Sequence, residues 1–197
     1  MNIFSRNNYI DSSSPFALSK FSNLIFNYLS NDSIENRDII IFCIGTDRST
    51  GDSLGPLVGH KLEPIIKNYS NVHLMGTLEN PIHAKNLEET LDKVKKDYNN
   101  PFIIAIDSSL GRLERVGHLS IKNSPLRPGA GVNKSLPPVG DISITGVVNI
   151  GGMMEVMVLQ NTRLSLVMSM ADIISKSIYL SLFRLSRQEK NQYILEK

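Results

Sequence analysis

The 197-residue sequence predicts an α/β fold, a three-layer sandwich around a mostly parallel central sheet. Three observations predict it. Ile39–Ile44 and Phe102–Ile106 are apolar, largely β-branched runs, the pattern of strands buried on both faces. Segments with helical apolar spacing alternate with them, which implies parallel strands joined by crossover helices. The first run stops at Gly45 and a polar loop, and the second stops at Asp107. Each strand thus delivers polar groups at its C-terminal end, the edge where open α/β sheets place their sites.

The elements follow in order. Residues 1–14, rich in Asn and Ser, read as a flexible N-terminal arm. Ser14-Pro15 starts a helix whose stripe is Phe16, Leu18, Phe21, Leu24, Ile25 and Leu29. Asp38 to Gly45 is the first strand. Leu54 to Glu63 reads as a helix that Pro64 breaks or kinks. Val72 to Met75 is a short strand. Ala84 to Lys96 is an amphipathic helix with Leu87, Leu91 and Val94 on one face. Pro101 to Ile106 is the next strand, and the alternation of Arg115 to Ile121 suggests an edge strand. Lys122 to Gly140 holds four prolines and three glycines and reads as a long loop. Ile142 to Val148 is a further strand, and Arg163 to Leu185 a long helix. Residues 187–197 form a polar tail, which leaves 15–186 as a single domain.

Composition narrows the classes. A hydrophobic share of 41%, a charged share of 20% and a net charge of +2 are those of a globular chain with no demand for nucleic acid. Lys93, Lys95 and Lys96 are interrupted by Asp92 and Asp97 and read as a solvated helix face. Cys43, the single cysteine, lies inside a predicted central strand and fits an inert core thiol. No apolar run reaches the roughly 18 residues of a membrane span. The N-terminus lacks the apolar centre of a signal peptide. The expected location is cytoplasmic, with no membrane partner. The apolar stretch Met153 to Val158 is expected to pack in the core, with a homo-oligomer contact as the alternative.

Several motifs invite chemistry. Gly51-Asp52-Ser53-Leu54-Gly55 fits G-x-S-x-G and the start of a GDSL-type esterase motif. Ser53, Asp107 and His118 occur in the order of a hydrolase triad. No histidine lies in the last third of the chain, so the Asp-x-x-His of GDSL-type esterases is missing, and Ser53 is the lesser alternative. Gly45, Gly51 and Gly55 do not spell a dinucleotide fingerprint. Pro128 to Ser135 imitates a phosphate loop, but Asn133 replaces the glycine before lysine and two prolines replace the helix. The paired carboxylates Asp52 and Asp107 carry more. Two acids in one cleft can share a proton and divide base and acid work on a water molecule. They can also hold a divalent metal that activates the water.

The order of four elements resembles a known family. Gly45 through Pro56 resembles the first aspartate element of the spore germination protease, and Ile104 to Asp107 its second aspartate strand. Arg127 to Lys134 is similar to its Pro-Gly loop, and Ile144 to Val147 to the strand after it. The whole pattern, from about Ile39 to Leu182, resembles the YyaC-type sporulation proteins, small relatives of that protease. The resemblance implies a phosphorylase/hydrolase-like sandwich, shared with hydrogenase-maturation proteases, and an atypical aspartate-dependent peptidase. Its catalytic aspartates fall on Asp52 and Asp107. Hydrogenase-maturation proteases bind metal at these two places, which makes Asp52 and Asp107 candidate metal ligands. Their third ligand, a histidine after a later strand, has no clear match here, and His83, after the short second strand, is a candidate by position alone. Gly45, Asp47, Gly129, Gly131 and Asn133 take supporting or substrate-binding places, and the amides around Gly129 to Gly131 could form an anion-stabilising nest. Asp47 stands one place from the family's asparagine, and Arg127 replaces a histidine.

The expectation is a sporulation-associated endopeptidase of the cytoplasm or the developing spore. Its partner is a protein or peptide substrate, with small acid-soluble spore proteins as the implied class. Sequence requires no cofactor and leaves room for a divalent metal. The alternative is a non-catalytic partner- or metal-binding regulatory protein of the same fold.

Overall fold

The structure is a computed structural model that describes residues 9–30, 34, 37–129 and 136–195, with side chains described as far as residue 188. Six strands form one sheet: β1 (Tyr9–Asp11), β2 (Ile39–Cys43), β3 (Val72–Met75), β4 (Phe102–Gly111), β5 (His118–Lys122) and β6 (Ile142–Ile150). Their spatial order is β1-β5-β6-β4-β2-β3. β6, β4, β2 and β3 run parallel, while β5 and β1 extend the sheet antiparallel. The expected mostly parallel α/β sandwich is the observed one.

The pleat of β2 explains the layers. Ile39, Ile41 and Cys43 point to one face, where α1 (Ala17–Leu29), α2 (Leu54–Ile66) and α5 (Leu164–Leu195) lie. Ile40, Phe42 and Ile44 point to the other, against Leu87, Leu91 and Val94 of α3 (Leu87–Asp97) and against Leu126 and Val139. Every residue of β2 is buried, and so are Ile104, Ala105 and Ile106 of β4. Each of their isoleucine and phenylalanine side chains contributes about 1.5–3 kcal/mol relative to exposure, which is why these two strands dominate the fold. The Cys43 thiol is fully buried, and burial pushes its pKa up, as expected of a core cysteine.

Several elements differ from expectation. The arm foreseen over 1–14 contains β1, because Tyr9–Asp11 pairs with His118–Ser120 and Ser12 N–H donates to the Gly117 carbonyl. β5 is therefore covered by β1 rather than being the edge, and Leu113–Arg115 ahead of it is a 3-10 turn. α2 passes through Pro64 to Ile66, near enough to its end that few helical bonds are lost. α5 continues through the expected polar tail to Leu195. Its segment Leu164–Gln188 is long and apolar enough to cross a membrane by composition, yet Val167, Met170, Ala171, Ile174, Ile178 and Leu182 along it are buried within the fold. It packs on α1 through small residues: the Ser181 hydroxyl donates to the Ser22 and Ser177 carbonyls. The Met153 to Val158 stretch does not join the core. It leads into a short helix, α4 (Glu155–Gln160), with Met153, Met154, Val156 and Met157 facing outward and Leu159 packed inward.

Candidate functional site

The two carboxylates meet at a step in the sheet. β2 pairs with β4 only as far as Cys43 opposite Ile106. β4 then runs on to Gly111 beside β6, with an irregularity between Ser109 and Leu110. Asp107 therefore lies within β4, not at its end, but at the point where its β2 neighbour has stopped. From β2 the chain leaves towards β3, whereas from β4 it leaves towards β5 and β6. The crevice between diverging connections is where open α/β sheets bind ligands.

Asp52 is brought to this crevice by two close approaches. After β2, Gly45 takes φ +140°, and its amide donates to the Ile82 carbonyl at 2.7 Å. A side chain at Gly45 would collide with the Asp52 carbonyl, which accepts from Thr46 N–H at 3.1 Å. At Gly55 a side chain would collide with the Ile44 carbonyl, so α2 can begin directly on the end of β2. The 3-10 turn Gly51–Ser53 between them carries Asp52.

Ser108 links the acids. Its backbone N–H donates to Asp107 Oδ1 at 2.7 Å, and its hydroxyl makes a long 3.5 Å contact with Asp52 Oδ1. Both acids are half-buried. Burial pushes Asp52 up to about 6, against the pull of hydrogen bonding from Ser108 and the Thr46 backbone and of the charge on His83. Asp107 is raised well above the usual carboxylate range, first by burial and then by the charge of Asp52, with the Ser108 amide opposing. Two carboxyls that resist being charged together are the condition for sharing one proton.

His83 approaches the same crevice. It follows Ile82, which bridges Ile44, and its N–H donates to Asn86 Oδ1 at 2.8 Å. Its Nδ1 is buried without a hydrogen-bond partner. Carboxylate oxygens from Asp52 and Asp107 and this nitrogen are donors that suit a divalent cation by type. They are not gathered as a cage. Among the described residues, the three ligating side chains whose atoms come within 4.8 Å of one another are His60, Glu63 and Glu79, exposed on α2 and the loop after β3.

The remaining expected residues scatter. Asp47 is exposed, and its Oδ1 accepts a 3.4 Å contact from the Thr46 hydroxyl in its own loop. Gly129 has φ +76° in a turn, and among the described residues no hydrogen bond joins it to either acid. Gly131 and Asn133 lie outside the described residues, as does most of the expected nest. Ser53 is 5% exposed and its hydroxyl donates to the Thr50 carbonyl at 2.7 Å, within its own turn. His118 begins β5, opposite Asp11 of β1. The serine-esterase alternative therefore loses its nucleophile to a turn and its base to another part of the sheet. A surface pocket lined by Arg37, Glu88, Asp92, Lys95 and Asp141 sits by the opposite, N-terminal ends of β2 and β4. Arg37 there is spent on structure, donating to the Asn100 and Pro101 carbonyls and pairing with Asp141.

Three comparisons bear on this arrangement. Residues 9–177 match the family described as "Protein of unknown function (DUF1256)". The chain is 50% identical over 154 residues to "Uncharacterized protein YyaC" of Bacillus subtilis (strain 168), covering 78% of this chain and 74% of that one. Its fold is similar to the crystal structure of a [NiFe] hydrogenase maturation protease, HycI, from Thermococcus kodakarensis KOD1. The TM-score is 0.55 at 17% identity, over 81% of this chain and 98% of the other.

Proposed function

The chain belongs to the DUF1256 family, and we propose that it is an aspartate-dependent endopeptidase that uses Asp52 and Asp107 as a proton-sharing pair. The single observation behind this reading is the pair itself: two half-buried carboxyls, joined through Ser108, at the crevice of the sheet. Support comes also from the fold it shares with a maturation protease and from the aspartate elements it shares in pattern with the spore germination protease.

The division of labour follows from the environments. Near neutral pH the Asp52 carboxyl, raised to about 6, is mostly ionised and Asp107 keeps the shared proton. Asp52 then draws a proton from a water as that water attacks the scissile carbonyl. Asp107 gives its proton to the departing amine, so one proton enters the pair and one leaves. The route runs on protons alone. The substrate class that fits the resemblance is a small acid-soluble spore protein, and the place of action is the cytoplasm of the developing spore.

Cleavage of such a protein by wild type, Asp52→Asn and Asp107→Asn tests the reading. Loss of cleavage in both folded variants is expected. Retained cleavage in both would contradict it. Binding of the same protein without any cleavage would favour the alternative, a non-catalytic partner-binding protein of this fold.

A further inference from the structure

We propose that the outward-facing side chains at the start of α4 form an apolar lip that seats an apolar stretch of the polypeptide substrate next to the acid pair. The inference rests on the endopeptidase reading. Met153 is 88% exposed, Met154 65%, Val156 54% and Met157 51%, with Ile150 at the end of β6 also exposed. Single exposed apolar residues are ordinary, but four within five positions make a patch, and patches mark contact surfaces.

The lip is fastened to the site. α4 packs on the 3-10 turn that carries Asp52. A side chain at Gly51, one residue before the acid, would come within 2.8 Å of Leu159 Cδ2 and Thr162 Oγ1. The Asn149 side chain on β6 donates to the Val158 carbonyl at 3.2 Å and to the Thr162 hydroxyl at 3.1 Å. Thr162 in turn donates to the Val158 carbonyl at 2.9 Å. The inner side of α4 is thus locked to β6 and to the Asp52 turn, and its apolar outer side is held at a fixed place relative to the acids.

The backbone favours display over stability. Met154 sits at φ +57°, ψ +39°, the left-handed region, where a non-glycine residue costs about 1 kcal/mol. A glycine or asparagine there would relieve the strain, and polar residues at 153 and 157 would remove exposed apolar surface. Methionine is unbranched and adapts to differently shaped partners, which suits varied polypeptide side chains better than one fixed self-interface.

The test uses a fluorescein-labelled, reduced and carboxymethylated α-lactalbumin, a permanently unfolded polypeptide, as probe. Its affinity is measured by anisotropy on the Asp107→Asn protein, where no chemistry is needed. Adding Met153→Gln and Met157→Gln is expected to weaken binding at least tenfold, with the melting temperature unchanged. Met157→Leu alone is expected to keep the affinity. Unchanged affinity in the double glutamine variant, or no binding by the Asp107→Asn protein, overturns the proposal. So does a concentration-dependent dimer that the glutamine variant dissolves, which would give the lip to a second copy. Absence of cleavage by wild type with the tenfold loss intact would remove the peptidase reading and leave the lip as a polypeptide-binding surface.

Discussion

The Ser108 hydroxyl lies 3.5 Å from Asp52 Oδ1, and the residue that places it there is the neighbour of Asp107 on β4. One serine therefore serves both acids, by its hydroxyl for one and its amide for the other. Removing the hydroxyl in Ser108→Ala takes away a contact that holds the Asp52 carboxyl down. The acid limb of the pH–rate profile is expected to move upward, by roughly half a pH unit for so long a contact. The fold should be unchanged, because the amide bond to Asp107 remains. A profile identical to wild type would separate Ser108 from the pair.

Stability should carry the signature of the same pair. Folding raises both carboxyls above their ordinary values near 3.8. The folded state therefore binds protons more tightly than the unfolded one. The stability this gives is full below pH 3.8 and is lost as pH rises through about 6 for Asp52 and further for Asp107. At pH 8 the wild type carries the whole of the Asp52 penalty. Asp52→Asn is expected to be more stable than wild type there by about 1–2 kcal/mol, with the gain fading towards pH 3.5. Urea unfolding at the two pH values measures it. A loss of stability at pH 8 would mean that the carboxylate is held by partners rather than strained by burial.

The approach of α2 to β2 can be tested without touching an acid. Gly55→Ala pushes a methyl into the Ile44 carbonyl, and Gly45→Ala both strains a φ of +140° and meets the Asp52 carbonyl. Each is expected to cost at least 2 kcal/mol in stability and to lower activity in whatever protein remains folded. A mild effect on melting temperature would show that the turn can move away and that Asp52 is not fixed by it.

Much of this site is written locally. The β2 and β4 runs announce themselves because strands buried on both faces must be apolar throughout, and Asp107 follows its run directly while Asp52 comes after the loop that leaves the other. Ser108 was not legible, since Asp107-Ser108-Ser109 reads as the polar end of a strand. Only the pairing of Asp107 to Gly111 with Thr145 to Ile150 of β6 carries them on as strand. α4 was hidden for the opposite reason. An apolar run ordinarily signals core, yet here Leu159 is the side chain packed against the core while the methionines turn outward. Pro64 suggested a break that tertiary packing of Leu62 and Ile66 overrides. The placement of His83 depended on the bridge between Ile44 and Ile82, a contact across the sheet that spacing does not reveal.

The chemistry proposed here uses protons and no metal, so chelation offers a direct discrimination. Asp52, Asp107 and His83 are not drawn into one cage, whereas the exposed His60, Glu63 and Glu79 lie close enough to take up an ion of no consequence for the acids. Cleavage is expected to persist in EDTA. Loss of activity with EDTA and its return with a single divalent metal would replace the proton-sharing mechanism with a metal-assisted one.

The most direct test of the central claim is single-turnover cleavage of a small acid-soluble spore protein by wild type and by Asp107→Asn at pH 7, with circular dichroism confirming that both are folded. The expected result is a defined cut by wild type and a loss of at least a hundredfold in rate in the variant. An Asp107→Asn protein that cuts at the wild-type rate would contradict the paired-aspartate site outright.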